Sequence, residues 1–405
     1  MGVRRRAWLL AALSAFATLA CVGPDPVAAA RPEAPELAAR AWTLVDADEG
    51  TVLASHRAAS SYSVASTTKL MTALVARREL RPGETVTAPA YDAIPGESLL
   101  GLRAGERIGV RDLLYGLLLP SGNDAAEALA QAAAGSEGAF VAEMNRAANR
   151  LDLDDTSYAN PIGLDEAGNF SSARDLVRLA IALRRDRLLR RIVDSPDAVL
   201  RSGAQVREIV NRNTLVRTLP YVNGVKTGHT LDAGYVLVAS AQRKGVELVS
   251  AVLGAPSELE RDAETRALLD YGFSLYHRRT AVERGERLAA PALRYQDDRV
   301  ALGPTRAVRL TVRDGQRLRT RVHAPEEVEG PVERGERLGR AIVTLDGERI
   351  ATVPLAALRS APAATLLQRY DAAIPGSRAV AWALAVAVLA LVLGLAIVLI
   401  GRRRA

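Results

Sequence analysis

Two hydrophobic periods divide the first two thirds of the chain into predicted strands and helices. Residues 41–46 and 51–56 flank a polar turn at 47–50, which predicts a β-hairpin. Further along, apolar positions three and four residues apart predict helices, because such positions share one helical face. The predicted helices cover residues 66–78, 110–135 with a break at Pro120, 138–151, 173–183 and 257–276.

A short antiparallel meander is predicted before the last of these helices. Its strands are residues 224–230, 235–241 and 246–253, separated by turns at 231–234 and 242–245. Strands beside a mainly helical mass indicate an α+β domain or a helix–sheet–helix sandwich. We expect this domain to span residues 38–277.

The pattern changes after residue 276, where charged and apolar residues alternate with period two, as in half-buried strands. The clearest runs are 308–313, 318–322 and 340–345. The heptapeptide Val-Glu-Arg-Gly-Glu-Arg-Leu occurs at 282–288 and again at 332–338, and we expect each copy to be a glycine turn that leads into a strand. A small all-β domain is therefore predicted over residues 280–360, followed by a linker over residues 361–378.

The amino-terminal segment, residues 1–30, has the features of a secretory signal peptide. Three arginines, Arg4 to Arg6, precede an apolar stretch at 7–20, and Ala28 to Ala30 offer small residues for cleavage. The apolar stretch is shorter than a transmembrane helix requires.

Cys21, the only cysteine, falls inside this signal segment. Its surroundings, Thr18-Leu19-Ala20-Cys21, are a weak lipoprotein-processing pattern, because Thr18 stands where leucine is usual. After cleavage behind Ala30 the mature chain would have no cysteine, so it would need no disulfide and could carry no catalytic thiol.

The carboxyl end is predicted to cross a membrane. Residues 379–400 are apolar apart from Gly394 and carry no charge, and about 20 such residues span a hydrocarbon core as a helix. Arg402 to Arg404 follow, and positive residues stay on the cytoplasmic side. We expect a single-pass protein of the cell membrane, with residues 31–378 outside. A buried core helix would leave the three arginines unexplained.

Charge and lysine usage narrow the possible partners. The formal net charge is +7, of which residues 1–30 supply +2 and residues 379–405 supply +3. The region between them therefore carries +2, and nucleic acid is not expected as a partner.

Lysine is rare in this chain: of 53 basic residues only Lys69, Lys226 and Lys244 are lysines. Arginine keeps its proton at any useful pH, whereas a desolvated lysine can lose it, so each lysine is a candidate for chemistry.

The first candidate motif is Ser66-Thr67-Thr68-Lys69 at the start of a predicted helix. Positions i and i+3 share a helical face, so the Lys69 amine can reach the Ser66 hydroxyl. A serine becomes a useful nucleophile when a neighbouring base takes its proton. Burial and the nearby cation Lys226 are expected to lower the pKa of Lys69 enough for that role. Alone, this pattern is more often a helix cap with a solvated lysine.

Two further motifs are weak in isolation. Ser121-Gly122-Asn123 follows Pro120, and its hydroxyl could relay a proton while Asn123 holds the lysine and the substrate amide; most such loops are plain turns. Lys226-Thr227-Gly228 lies on a predicted strand, where Lys226 and Thr227 could bind a carboxylate and Gly228 would let a substrate backbone approach. A surface lysine beside a turn is the ordinary alternative.

Together the three motifs occur in the order and on the element types of β-lactam-sensitive serine acyltransferases. The sequence resembles the low-molecular-mass penicillin-binding proteins, the serine D-Ala-D-Ala carboxypeptidases, from about residue 41 to residue 276. Five longer stretches share the resemblance: 64–72, 119–125, 160–164, 211–215 and 224–230. The all-β segment and the carboxyl-terminal anchor are similar to the second domain and tail of many members.

The resemblance implies a penicillin-binding/β-lactamase-like fold and a role for each motif. Ser66 would attack the carbonyl between two D-alanines, with Lys69 as base and the backbone N–H groups of Ser66 and His229 as oxyanion hole. Ser121 and Lys69 would pass a proton to the departing D-alanine, and Lys226 would bind the terminal carboxylate with Thr227. The implied partners are peptidoglycan stem peptides and, as covalent inhibitors, β-lactams; no metal or cofactor is implied.

Several alternatives stay open at this point. A D,D-endopeptidase, a β-lactamase and a catalytically silent wall-binding protein would share the motifs, although intact Ser66, Lys69 and Lys226 count against the last. A Ser-His-Asp triad could use His229, but no Gly-x-Ser-x-Gly elbow occurs, and the histidines lack metal-ligand spacing. Glu97 and Glu166 could serve as deacylating carboxylates, though such loop residues are usually solvated.

Overall fold

The computed structural model describes residues 32–373 and 377–402. The predicted signal segment, with Cys21, lies outside these residues. The strands of the first domain are β1 (Ala41–Asp46), β2 (Val52–His56), β3 (Thr85–Thr87), β4 (Arg107–Gly109), β5 (Asp197–Leu200), β6 (Arg207–Val210), β7 (Val222–Thr230), β8 (Gly234–Arg243) and β9 (Val246–Ala255). Its helices are α1 (Lys69–Glu79), α2 (Val110–Leu118), α3 (Asn123–Ala134), α4 (Glu137–Arg150), α5 (Ala173–Arg185), α6 (Arg187–Asp194), α7 (Thr214–Thr218) and α8 (Glu258–Ser274).

A five-stranded antiparallel sheet in the order β2-β1-β9-β8-β7 forms the middle layer. Helix α5 packs against β1 and β9 from one side, and α8 packs against β8 and β9 from the other. Strand β8 shows how the sequence builds both interfaces: Val236 and Val238 belong to the larger core cluster, whereas Leu237 and Ala239 belong to the cluster beneath α8. The predicted helix–sheet–helix sandwich is therefore confirmed.

Helix boundaries follow local capping. The side chains of Ser136, Ser172 and Ser257 accept hydrogen bonds from backbone N–H groups three residues on, which starts α4, α5 and α8. Gly135, with φ of +78°, ends α3 in the left-handed conformation that favours glycine. These caps explain why the predicted helices lie within a few residues of the observed ones.

Helix α6 and the hairpin β5–β6 are among the elements that the sequence did not predict. Helix α6 begins where the side chain of Asp186 accepts hydrogen bonds from two backbone N–H groups, only one residue after α5 ends. The hairpin β5–β6 is fixed instead by a buried ion pair. The two terminal guanidinium nitrogens of Arg207, Nη1 and Nη2, donate to the Glu106 carboxylate at 2.8 and 2.9 Å. A contact across about a hundred residues has no signature in hydrophobic periodicity.

The second domain is all-β, as predicted. Its strands are β10 (Tyr276–Val282), β11 (Ala292–Leu293), β12 (Leu302–Pro304), β13 (Val308–Arg313), β14 (Leu318–His323), β15 (Glu327–Val328), β16 (Arg337–Leu345) and β17 (Glu348–Ala357). They form a sheet in the order β12-β17-β16-β14 and the pairs β10–β13 and β11–β15. Alternate apolar residues of β16 and β17 fill two small cores, which explains the period-two pattern.

The repeated heptapeptide forms the same turn twice. In each copy the first glutamate N–H donates to the carboxylate of the second glutamate, at 3.2 Å for Glu283 and Glu286 and at 3.0 Å for Glu333 and Glu336. The second copy leads into β16 as expected. The first copy leads only to an isolated bridge at Ala289, so that half of the strand prediction is wrong.

Two helices follow the all-β domain: α9 (Leu366–Ala373), within the predicted linker, and α10 (Ser377–Arg402), which contains the predicted membrane segment 379–400. Among the residues that the structure describes, no helix combines the length and apolar character needed to cross a membrane.

Candidate active site

Ser66 lies in a tight 3-10 turn, Ala65–Thr68, immediately before α1. The residue before it, Ala65, has a φ of +49°, which is uncommon for a residue with a side chain. Such backbone conformations persist where surrounding structure imposes them, and they cluster at functional sites. The turn leaves Ser66 half-buried while its neighbours Ala65 and Thr67 are buried.

Two glycines hold other segments against this turn. A Cβ atom on Gly163 would lie 2.1 Å from the Ala65 carbonyl oxygen, and one on Gly228 would lie 3.1 Å from the Ser66 backbone nitrogen. Any larger residue would therefore separate these backbones. The loop 160–164 and strand β7 consequently both meet the Ser66 turn, so three segments that are far apart in the sequence converge there.

Lys69 is fully buried, with a relative exposure of 0%. Its Nζ donates to Ser66 Oγ at 3.0 Å and to the Ile162 carbonyl at 2.5 Å. The single helical turn between Ser66 and Lys69 produces the first contact, as the spacing predicts. The second contact places the ammonium group where water cannot solvate it.

Burial lowers the pKa of Lys69 from its ordinary value to about 7. The Glu97 and Asp124 carboxylates oppose this shift, and the Arg212 guanidinium adds to it. The cation that assists burial is therefore Arg212, where the sequence suggested Lys226. With a pKa near 7, a substantial fraction of Lys69 is unprotonated at neutral pH and can accept the proton of a neighbouring hydroxyl.

The second motif lies between α2 and α3. Ser121 has a φ of +71°, and its buried Oγ has no hydrogen-bond partner among the described residues. Asn123 is the first residue of α3, and its Nδ2 donates to Glu97 Oε2 at 2.8 Å. A buried hydroxyl without a partner is rare in folded proteins and is a candidate for a group that acts on a ligand.

The third motif occupies the middle of β7. Lys226 is 1% exposed and Thr227 is 7% exposed, and Lys226 Nζ donates to the Thr227 carbonyl at 2.9 Å. Burial lowers the pKa of Lys226 well below its ordinary value, and the charges of Lys69 and Arg212 lower it further. The two candidate lysines therefore lie within one electrostatic environment.

His229, near the end of β7, is exposed, and its ring stacks on Tyr235 with 4.1 Å between the ring centroids. The antiparallel register of β7 and β8 pairs these two residues directly. Its imidazole shows no hydrogen bond to a carboxylate of the described residues, so the arrangement of a Ser-His-Asp triad is not formed.

Three charged residues of the site were given no role, or a different role, by the sequence analysis. Arg212 lies in a stretch used only for the resemblance, and its charge acts on both lysines. Asp124 is buried, and its carboxylate accepts the backbone N–H groups of three consecutive residues, 100–102. Glu97, considered only as a deacylating carboxylate, binds Asn123. No local pattern marks such residues, because their partners lie elsewhere in the chain.

Glu166 has a different position. Its carboxylate accepts a hydrogen bond from Asn160 Nδ2 at 2.9 Å, within the loop that delivers the Ile162 carbonyl to Lys69. Within residues 32–373 and 377–402, no group of three or more histidine, cysteine, aspartate or glutamate side chains could hold a metal ion.

Comparison with known proteins gives matches along most of the chain. A family model described as D-alanyl-D-alanine carboxypeptidase matches residues 28–257, and one described as penicillin-binding protein 5, C-terminal domain, matches residues 276–363. D-alanyl-D-alanine carboxypeptidase DacA of Escherichia coli is 34% identical over 326 residues, which are 78% of this chain and 80% of that protein. DacF of Bacillus subtilis is 35% identical over 257 residues, covering 62% of this chain and 66% of that protein.

Solved structures agree with these matches. Penicillin-binding protein 5 from Haemophilus influenzae superimposes with a TM-score of 0.59 at 28% identity, covering 82% of this chain and 99% of that one. The Streptomyces K15 DD-transpeptidase has a TM-score of 0.58 at 31% identity and covers 60% of this chain and 100% of its own. The first match covers enough of this chain to include both domains. The second covers a share of this chain that corresponds to the length of the first domain.

Proposed function

Since this chain belongs to the D-alanyl-D-alanine carboxypeptidase family, we propose that it releases the terminal D-alanine of peptidoglycan pentapeptides through an acyl-enzyme on Ser66. The observation that carries this proposal is the contact of 3.0 Å between Lys69 Nζ and Ser66 Oγ, made by a lysine whose pKa is lowered to about 7. A nucleophile and its base within hydrogen-bond reach are the minimum that acyl transfer requires.

The acylation step begins with unprotonated Lys69. Its amine accepts the hydroxyl proton while Ser66 Oγ attacks the carbonyl carbon of the penultimate D-alanine, forming one C–O bond and moving an electron pair onto the carbonyl oxygen. The Ile162 carbonyl, 2.5 Å from Nζ, stabilises the ammonium group that results. Burial of Lys69 keeps water from competing for this proton.

The carbonyl oxygen of the intermediate needs two N–H donors. The backbone N–H groups of Ser66 and His229 fill this role in our proposal, because the backbone of Gly228, next to His229 in β7, lies against the Ser66 turn. A wider residue at position 228 would move one donor away from the other.

Collapse of the intermediate breaks the C–N bond, and the departing amine takes a proton. Ser121 is the proposed relay from protonated Lys69, because its buried Oγ has no other partner among the described residues. Asn123, held by Glu97, is proposed to bind the substrate amide. Water then attacks the ester on Ser66, with Lys69 again as base, and releases the shortened peptide.

Lys226 and Thr227 are the proposed carboxylate subsite. A carboxylate that enters beside Lys226 favours the charged form of this lysine, which reverses the effect of burial and forms a charge-assisted hydrogen bond. Penicillins carry a carboxylate and a reactive amide carbonyl in similar positions, so the same residues would lead to covalent labelling of Ser66.

The proposed function is tested by incubating the protein with a pentapeptide ending in D-Ala-D-Ala and measuring D-alanine. We expect rapid release from this substrate and little cleavage of cross-linked dimers, since an endopeptidase must accept a chain that continues beyond the bond. Faster cleavage of dimers than of pentapeptide would make the protein an endopeptidase. Absence of both activities and of penicillin labelling would indicate a silent wall-binding protein.

We further propose that the protein acts outside the cytoplasm, anchored by residues 379–400. The support comes from the sequence: a basic and then apolar amino terminus, an uncharged apolar segment, and three terminal arginines that would remain in the cytoplasm. The all-β domain would then lie between the membrane segment and the catalytic domain, which places the active site nearer to the cell wall.

A further inference from the structure

Glu97, which lies outside the three motifs, forms a hydrogen bond with Asn123 of the second motif. Glu97 Oε2 accepts a hydrogen bond from Asn123 Nδ2 at 2.8 Å and a second from the Tyr91 hydroxyl. The same loop is also joined to Asn123 through the backbone, because the Asn123 N–H donates to the Ser98 carbonyl at 2.7 Å. Residues 91–98 therefore form a wall of the site that is attached to Asn123 by both its backbone and its side chain.

The carboxylate decides which way the Asn123 amide faces. Burial acts to raise the pKa of Glu97, but hydrogen bonds from Tyr91, Asn123 and the Ile94 N–H, together with the charge of Lys69, outweigh it, so the pKa is lowered and the group is ionised at neutral pH. An ionised carboxylate can only accept, so it must face the NH₂ group of Asn123. The carbonyl Oδ1 lies on the other side of the planar amide, turned away from Glu97.

The charge of Glu97 also acts on the base. Lys69 is faced by Glu97 from the 91–98 loop, by Asp124 from α3, by Arg212 from the segment before α7 and by Lys226 from β7. Of these charges Glu97 has the largest effect on the pKa of Lys69, and it raises that pKa against the burial. A general base works best when its pKa lies near the operating pH, because a lower pKa makes it a weaker base.

We propose that Glu97 is a positioning residue of the acylation step: its hydrogen bonds with Asn123 and Tyr91 fix the amide orientation of Asn123 and hold a negative charge in the wall of the active site. This inference rests on the function proposed above. It gives a carboxylate of the active-site wall a role in acylation through Asn123 and Lys69, distinct from the deacylating role that the sequence suggested for it.

Three variants separate the two parts of this role. Glu97→Gln retains an oxygen that can accept from Asn123 but removes the charge, so the midpoint of the rise of acylation rate with pH moves to lower pH while the plateau rate stays within a few-fold. Glu97→Ala removes both, so the midpoint moves down and the plateau falls by about 10-fold or more, as misplaced site groups do. Tyr91→Phe keeps the charge, so its midpoint stays with that of the wild type.

The measurement is the rate of acylation by a fluorescent penicillin from pH 5 to pH 9, with thermal unfolding of each variant as a check on folding. A Glu97→Gln midpoint equal to that of the wild type overturns this inference alone, even if Glu97→Ala is slow or unstable. A wild type that is not acylated at any pH overturns the proposed function, and this inference with it.

Discussion

The backbone of Gly228 passes so close to Ser66 that a Cβ atom built on the glycine would lie 3.1 Å from the Ser66 nitrogen and 3.0 Å from the Ala65 Cβ. These contacts are tighter than side chains normally make, and Ala65 already has a φ of +49° that leaves it little freedom to move. The third motif therefore has two functions at the site: Gly228 allows two backbones to approach closely, and Lys226 supplies a cationic group.

Gly228→Ala should consequently separate β7 from the nucleophile. We expect acylation by penicillin to fall by about 10²-fold, because small displacements of site groups have large effects on rate. The midpoint temperature of thermal unfolding should change little, since β7 keeps its pairing with β8. Gly138→Ala is a suitable control, because Gly138 has open space around it and no positive φ. Gly245→Ala is not, because Gly245 has a positive φ. Normal acylation of Gly228→Ala would show that the two backbones can separate without loss.

Ser66→Ala should abolish covalent labelling by a fluorescent penicillin, because Ser66 is the one hydroxyl of the described residues that forms a hydrogen bond with Lys69 Nζ. Ser61→Ala removes an exposed hydroxyl, five residues before Ser66, that donates to the Asp155 carbonyl, and this variant should label normally. Labelling of the Ser66→Ala variant at the wild-type level would assign the nucleophile to another residue.

The pH dependence of acylation should report Lys69. The base acts in its unprotonated form, and its pKa is lowered to about 7, so the rate should rise with pH through about 7 and level off above it. Lys69→Arg cannot supply a free base and should lower the rate by orders of magnitude at every pH. The exposed Lys244 gives the matched control, Lys244→Arg. A near-normal rate for Lys69→Arg would refute the role of the base.

Lys226→Ala should weaken transition-state binding by about 2–4 kcal/mol in kcat/KM for the pentapeptide. Amidation of the substrate's terminal carboxylate should cost the wild type a similar amount and the Ala variant much less, since the variant no longer has the cation that the carboxylate binds. Equal losses in both proteins would show that Lys226 does not bind the carboxylate.

The buried pair of Glu106 and Arg207 should control stability in acid. Hydrogen bonds from Arg207 lower the pKa of Glu106 from 4.5 to about 2, so the stabilisation is complete above the unfolded value of 4.5 and is lost as the pH falls through about 2. Glu106→Gln should lower the free energy of unfolding at pH 7 by about 3 kcal/mol and flatten its decline between pH 5 and 2. Chemical denaturation at several pH values measures the free energy of unfolding and its decline, and the variant of the exposed Glu208, Glu208→Gln, is the control. If the free energy of unfolding of Glu106→Gln declined with falling pH in parallel with that of the wild type, Glu106 would not be the group that titrates.

The proposed topology predicts that protease added to spheroplasts degrades residues 31–378 and spares the carboxyl-terminal tail. Deletion of residues 377–405 should release the protein into the soluble fraction while leaving penicillin labelling intact, because the active site lies wholly within the first domain. Protection of residues 31–378 would mean that the orientation is reversed, and a truncated protein that remains in the membrane would mean that another segment anchors it.

The sequence by itself determined the main helices and strands and the chemistry of the nucleophile. Hydrophobic periods of 3.6 and 2 located the main helices and strands, since each period reflects which face of an element is buried. The Ser66–Lys69 contact was also predictable, because one helical turn fixes it. The same holds for the identity of the site lysines, which stand out in a chain that otherwise uses arginine.

The tertiary structure alone decided how the site is tuned. The burial of Lys69, the opposing charges of Glu97 and Arg212, and the close approach of Gly163 and Gly228 to the Ser66 turn all join residues far apart in the chain. Coulomb energies and steric contacts depend on distance in space, and desolvation depends on everything packed around a group. None of these quantities is a function of local sequence. The sequence predicted that the pKa of Lys69 falls, but its value near 7 and the hydrogen bond between Glu97 and Asn123 depend on how the segments are assembled.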